Sequence, residues 1–167
     1  MSYYKNYSLY IIFDKTVDND IKKYYKNYNH DHIKDAGIDL KCTYDIDITN
    51  KEMIDLHIIC ILVYNDTDEC IPFDLRPRSS MALKTDLIMQ NSPGTIDSGY
   101  RNTLKAVLTN INPCITHHIK KHDRYVQLVP QIAGKIKILC FDDINDLPSN
   151  KIYTSRNQNG FGSSGLN

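Results

Sequence analysis

Asp97 stands in NSPGTIDSGYRN, Asn91 to Asn102, just past Ile96 and behind a Pro-Gly turn signal. A carboxylate fixed on such a hairpin can take a proton from water and so act as a general base. An Asp beside a Gly-containing turn is also an ordinary turn former, and the pattern alone leaves both uses open. Tyr100, three residues on, would wall the same hairpin. A second group suits phosphate. RPRSSMALK, Arg76 to Lys84, sets Arg78 beside Ser79 and Ser80 after a strand-like run. A guanidinium fork and two hydroxyls can hold anionic oxygens, and a strand end with helix-capping serines is the alternative.

A third group closes the chain. RNQNGFGSSG, Arg156 to Gly165, contains three of the seven glycines, Gly160, Gly162 and Gly165. Glycines let backbone N–H groups converge on an anion, Ser163 and Ser164 add donors, and Arg156 adds charge. Phe161 could lie flat on a base, a stacking contact of roughly 1–3 kcal/mol. A polar tail without fixed structure has the same composition. Two quieter stretches are DAGIDLK and DRYVQLV. In the first, Asp39 would face opposite to Ile38 and Leu40 if extended. In the second, Gln127 is the polar member of an apolar strand. The paired histidines, His30 and His32 around Asp31 and the adjacent His117 and His118, match no metal-ligand spacing.

The elements that must hold these groups read mostly as strands. YSLYIIF (Tyr7–Phe13), LHIICILV (Leu56–Val63), LKAVL (Leu104–Leu108), RYVQLV (Arg124–Val129) and KIKILCF (Lys135–Phe141) are rich in Ile, Val, Tyr and Leu and bounded by turn residues. Many short strands predict an all-β sandwich, jelly roll or barrel. One segment differs. Ile21, Tyr24, Tyr25 and Tyr28 recur at helical spacing between Asp20 and Asn29, which predicts a short amphipathic helix capped at Asn19 or Asp20 and packed on a sheet edge.

Length and charge narrow the function. At 167 residues the chain is most simply one domain, and 20 basic residues balance 20 acidic ones. That balance counts against an electrostatically driven nucleic-acid binder. The five cysteines are scattered and include no CxxC, as expected of free thiols in a reducing, intracellular setting, cytoplasmic or nuclear. The N-terminus has no signal-peptide pattern, and no apolar run reaches the roughly 18 residues of a membrane span.

The order of the stretches adds a further reading. AGIDL, RSSMA, GTIDSGYR, RYVQL and RNQNGFGSSG resemble, in sequence, the five motifs of the trimeric dUTPase family, from about Asp35 to Gly165. The double serine most resembles the dUTPases of large DNA viruses. The resemblance implies a jelly-roll-like β-barrel that assembles as a homotrimer with shared sites. It also implies Mg²⁺-assisted hydrolysis of dUTP to dUMP and pyrophosphate. By the same resemblance Asp97 is the catalytic base and Asp39 holds the hydrated metal through water. Arg78, Ser79, Ser80 and Gln127 bind phosphates. Asn91 and the Gly94 hairpin read uracil, and Tyr100 lies beneath the deoxyribose. Arg156, Phe161, Gly162, Ser163 and Ser164 close as a lid. The implied division is a Tyr-rich segment of strand and helix over 1–34, a core over 35–155 and an arm over 156–167, with LHIICILV a candidate interface strand or simply a buried one. Four family glycines are replaced, by Ser80, Asn102, His122 and Asn157. Asn and His enter positive φ more readily than most residues. Those losses leave open a non-catalytic, nucleotide-binding trimer of the same fold, and the related dCTP deaminase type shares that fold too.

Overall fold

A computed structural model describes residues 5–28 and 35–155. The expected lid residues Arg156, Phe161, Gly162, Ser163 and Ser164 lie outside the described residues, as do Asn157, His30 and His32. In chain order the first elements are β1 (Lys5–Phe13), α1 (Asn19–Lys26), β2 (Ile38–Leu40), β3 (Ile46–Ile48), β4 (Lys51–Asp55) and β5 (Ile58–Tyr64). Then come β6 (Glu69–Ile71), β7 (Phe73–Pro77), α2 (Ser79–Lys84), β8 (Leu87–Met89), β9 (Gly94–Ile96) and β10 (Lys105–Asn110). The last are β11 (His117–Ile119), β12 (Val126–Pro130), β13 (Gly134–Phe141), a single 3-10 turn (Ile144–Asp146) and α3 (Ser149–Ile152).

The strands form four small sheets, ordered β13-β1-β5-β6, β4-β10-β8, β11-β3 and β2-β12-β7-β9. Every pairing is antiparallel except β1 with β13. This is the all-β, jelly-roll-like architecture that the sequence predicts. One core, to which Leu9, Ile38, Leu40, Leu75, Leu108 and Leu128 contribute at 0% exposure, is shared by all four sheets. A second cluster of Ile12, Ile61, Val63 and Leu147 covers the other face of β1 and β5, under the 3-10 turn and α3. β5 is therefore buried on both faces within its own chain, which accounts for its unbroken apolar run without a subunit interface. Apolar side chains stand exposed elsewhere, at Met53 on β4 and Ile88 on β8.

α1 forms as its spacing dictates, with the cap one residue earlier than expected. The Asp18 carboxylate accepts the Ile21 N–H at 2.7 Å, and Ile21 and Tyr25 face the core. Burying each is worth about 1.5–3 kcal/mol. The helix ends at Asn27, whose N–H reaches the Lys23 carbonyl. β1 and α1 thus belong to the packing that carries the rest of the chain.

Candidate active site

β12 gathers the phosphate-suited residues. It pairs with β2 on one side and β7 on the other, so Gln127 lies opposite both Asp39 and Arg76. Paired residues of an antiparallel ladder share a face. Arg78 follows β7, and its Nε meets Asp39 Oδ1 at 2.8 Å. Arg124, just before β12, reaches Asp39 Oδ2 at 3.2 Å. The Arg78 guanidinium also donates to the Arg124 carbonyl at 3.0 Å, and its own N–H to the Tyr125 carbonyl at 2.9 Å. Gln127 donates to the Pro77 carbonyl at 3.2 Å. Gly37 makes this approach possible, since a Cβ there would stand 2.8 Å from Gln127 Oε1 and 3.0 Å from the Leu128 carbonyl oxygen.

Beside this cluster opens a cleft of about 280 Å³, lined by Arg78, Ser80, Lys84, His122 and Arg124 among others. Ser79 and Ser80 begin α2, whose N-cap position is Arg78, and that cap makes no side-chain hydrogen bond. His122, read from the sequence as replacing a glycine, takes φ 75°, in the left-handed region, whereas Asn102 is not among the positive-φ residues. Arg124 escaped the sequence reading. A strand-initial arginine is unremarkable until pairing brings it to a carboxylate.

The second half of the site is the hairpin. β9 pairs with β7, Gly94 opposite Leu75 and Ile96 opposite Phe73. The Ser92–Pro93 peptide bond is cis. The Asn91 side chain clamps this turn to β10: its oxygen accepts the Val107 N–H at 2.9 Å and its nitrogen donates to the Lys105 carbonyl at 3.4 Å. These two bonds use one of the two amide hydrogens. A Cβ on Gly94 would stand 2.8 Å from the Asn91 carbonyl oxygen, so only glycine fits there. Asp97 directly follows β9, and its carbonyl accepts the Tyr100 N–H at 3.0 Å. Tyr100 is buried, its hydroxyl on the Thr103 carbonyl.

Two charged residues that the sequence reading passed over hold this hairpin. Arg101 is 4% exposed and donates to the carbonyls of Ser98, Tyr100 and Lys151. Burial pushes its pKa down. Asp74, paired with Thr95, sits below its ordinary pKa because Arg76 hydrogen-bonds it, with Thr95 and Gln131 adding to the effect. Thr154 reaches the Gly99 carbonyl at 2.6 Å, so the chain just before residue 156 is tied to the same turn.

The two halves do not meet in one chain. Asp97 adjoins the Phe73 end of β7, while Arg78 leaves the opposite end. At about 3.3 Å per residue their backbones are separated by roughly 17 Å or more. Each end of the strand carries half of the groups.

The all-β scaffold sets a hydrogen-bonding hairpin at one sheet end and an arginine–carboxylate cleft at the other. The comparisons are more specific. The model of the dUTPase family matches residues 23–165, and the chain belongs to that family. It is 34% identical to a deoxyuridine 5'-triphosphate nucleotidohydrolase of Rhodococcus erythropolis over 136 residues, 80% of this chain and 76% of the relative. A Cutibacterium acnes protein of the same description is 34% identical over 79% of this chain and 80% of its own. These relatives are bacterial and give the expected likeness to large-DNA-virus enzymes no support. Among solved structures, the dUTPase of Staphylococcus bacteriophage 80alpha, with dUpNHpp, aligns at TM-score 0.53 and 21% identity over 95% of this chain and 98% of its own. The Streptococcus mutans dUTPase aligns at TM-score 0.56 and 19% identity over 76% of this chain and 98% of its own. These two likenesses concern the fold.

Whether the residues present suit Mg²⁺ can be judged from their chemistry. Among the described residues no three His, Cys, Asp or Glu side chains gather to cage an ion. Asp39 is a lone oxygen donor, 20% exposed at its side chain and already neutralised by two arginines. Such a carboxylate fits a hydrated ion that keeps its waters and rides on a triphosphate.

Proposed function

We propose that this chain hydrolyses dUTP to dUMP and pyrophosphate in a site completed between subunits of a homotrimer. Asp97 takes a proton from water, whose oxygen attacks the α-phosphorus as the α–β anhydride bond breaks and pyrophosphate leaves. Arg78, Ser79, Ser80 and Gln127 hold the phosphates in line. Asn91 and the backbone around Gly94 read the uracil edge, and a slot with fixed donors and acceptors rejects cytosine by leaving buried groups unpaired. Tyr100 packs beneath the deoxyribose. Arg156, Phe161, Gly162, Ser163 and Ser164 close over the bound nucleotide. Mg²⁺, when bound to the triphosphate, supplies charge neutralisation. Asp39 would hold the hydrated ion through water, and one phage phi11 dUTPase structure is described with a structural Mg(II) ion.

The observation that carries this reading is the gathering of Asp39, Arg78, Arg124 and Gln127 by β12 at one end of β7, with Asp97 on a braced hairpin at the other. Positioning and charge are what phosphoryl transfer asks of a protein. The split between the two ends supports shared sites, and the exposed Met53 and Ile88 on the β4-β10-β8 sheet offer an apolar face for the trimer. We take its setting to be intracellular, where a buried thiol such as Cys42, pushed up to about 12 by burial, stays inert.

The test is pyrophosphate release from dUTP, dTTP, dCTP and UTP with Mg²⁺, for the native chain and for Asp97→Asn. The expected result is turnover of dUTP alone, reduced at least about a thousandfold by the substitution. A folded trimer that binds dUTP and releases nothing would point to a non-catalytic nucleotide-binding protein. Ammonia from dCTP would point to a deaminase.

A further inference from the structure

We infer that Tyr24 and Tyr28 of α1 are positioning residues for Asp39, fixing its carboxylate for the hydrated metal. β2 is three residues long and forms the edge of its sheet, so only β12 pairs with it. Among the described residues no strand neighbours the backbone on its open side. The helix takes that place with phenols. The Tyr24 hydroxyl donates to the Asp39 carbonyl at 3.2 Å, the Asp39 N–H faces the Tyr28 oxygen, and the Lys41 N–H donates to the Tyr25 hydroxyl at 2.9 Å. Asp39 and Lys41 are two apart and so present their backbone to the same side. Cys42, one residue further, bonds inward to the Asp123 carbonyl.

The phenols cannot drift. Tyr25 is 1% exposed in the core, Tyr24 packs edge-on to Tyr25 at 5.0 Å, and Tyr28 edge-on to Tyr24 at 5.4 Å. The helix below them is capped by Asp18 and anchored by Ile21. The Tyr24 hydroxyl thus holds the backbone of the same residue whose carboxylate pairs with Arg124. The two arginines hold the carboxylate from the cleft side, and the tyrosines hold its backbone from behind. A helix serving only as packing would need the rings and not the hydroxyls.

This rests on the reading of Asp39 given above, and the experiment separates the two. Tyr24→Phe, Tyr28→Phe and the double variant keep the rings and remove the hydroxyls. Tyr64→Phe, whose hydroxyl sits on surface Asp66, is the control. Two readouts are taken against Mg²⁺ concentration: turnover of dUTP, and calorimetric binding of α,β-imido-dUTP. For the double variant the half-saturating Mg²⁺ should rise about tenfold in both, the lower end for loss of outer-shell support. kcat at saturating Mg²⁺ and analogue binding in EDTA should stay within about twofold, and Tyr64→Phe should match the native chain. Should the double variant fail to form trimers, Tyr24→Phe alone decides, with a rise of about threefold. Unchanged Mg²⁺ dependence in folded trimers, beside an active native enzyme, overturns the positioning alone. A native chain that neither turns over dUTP nor binds the analogue with Mg²⁺ overturns both readings.

Discussion

At the scale of single residues, the site depends on side chains that brace others. Asp74 is 6% exposed, bonded to Arg76 at 2.9 Å and to Thr95 at 3.3 Å, and it ties β7 to β9, the strand that Asp97 follows. Its folded pKa lies below the ordinary value because of those bonds. A depressed carboxylate stabilises the fold fully above the unfolded pKa of about 3.9, and that stability is lost as pH falls through the lower, folded value. Asp74→Asn should therefore lower stability at pH 7 by about 1–3 kcal/mol, the worth of a bond to a charged group. In urea titrations the gap to the native chain should narrow at pH 3. An equal gap at both pH values would mean that shape, not charge, is what Asp74 supplies. Asp97 itself stood out in the sequence because a turn signal precedes it. Arg124, Arg101 and Asp74 did not, since their partners lie far away in the chain.

Among the elements, α1 shows how local and non-local rules combine. Its spacing of Ile21, Tyr24, Tyr25 and Tyr28 was enough to predict the helix, because periodicity is a local property. What the tyrosine hydroxyls bond to was not legible, because β2 reaches them only after the chain turns back. Asp18→Ala removes the cap on the Ile21 N–H and the ion pair to Lys121. It should cost about 1 kcal/mol, read as a fall in thermal midpoint. If α1 holds β2 as inferred, the half-saturating Mg²⁺ should rise with it. A fall in stability without that rise would separate the helix from the site. The long strands were legible in the same way as the helix. β2, β3, β6, β8 and β11 were not, because three residues cannot display a period; β9 was legible only through the Pro-Gly turn before it.

For the whole molecule, the decisive feature is the length of β7. Because Asp97 and Arg78 adjoin opposite ends of it, subunits lacking one group should rescue subunits lacking the other. Asp97→Asn and Arg78→Ala trimers, each inactive, should regain about one quarter of native activity when unfolded together and refolded as mixtures. That is the share of sites in which both donors are intact. No recovery from mixed trimers would place the whole site within one chain and sink the shared-site reading. The apolar exposure at Met53 and Ile88 predicts where such trimers meet, whereas β5, apolar on both sides, is satisfied inside its own chain.

The sequence by itself determined the family and the class of fold. Five short motifs in order, alternating apolar runs and one helical spacing are all written along the chain, and each is set by neighbours a few residues apart. Tertiary structure alone decided which groups meet. Asp39 finds Arg78 and Arg124 through β12, and three tyrosines find the open edge of β2. Asp97 is carried away from the arginines by the strand that links them. Hydrogen-bonded pairing between segments tens of residues apart sets those meetings, and no local spacing encodes a register that only forms when the sheets close around their common core.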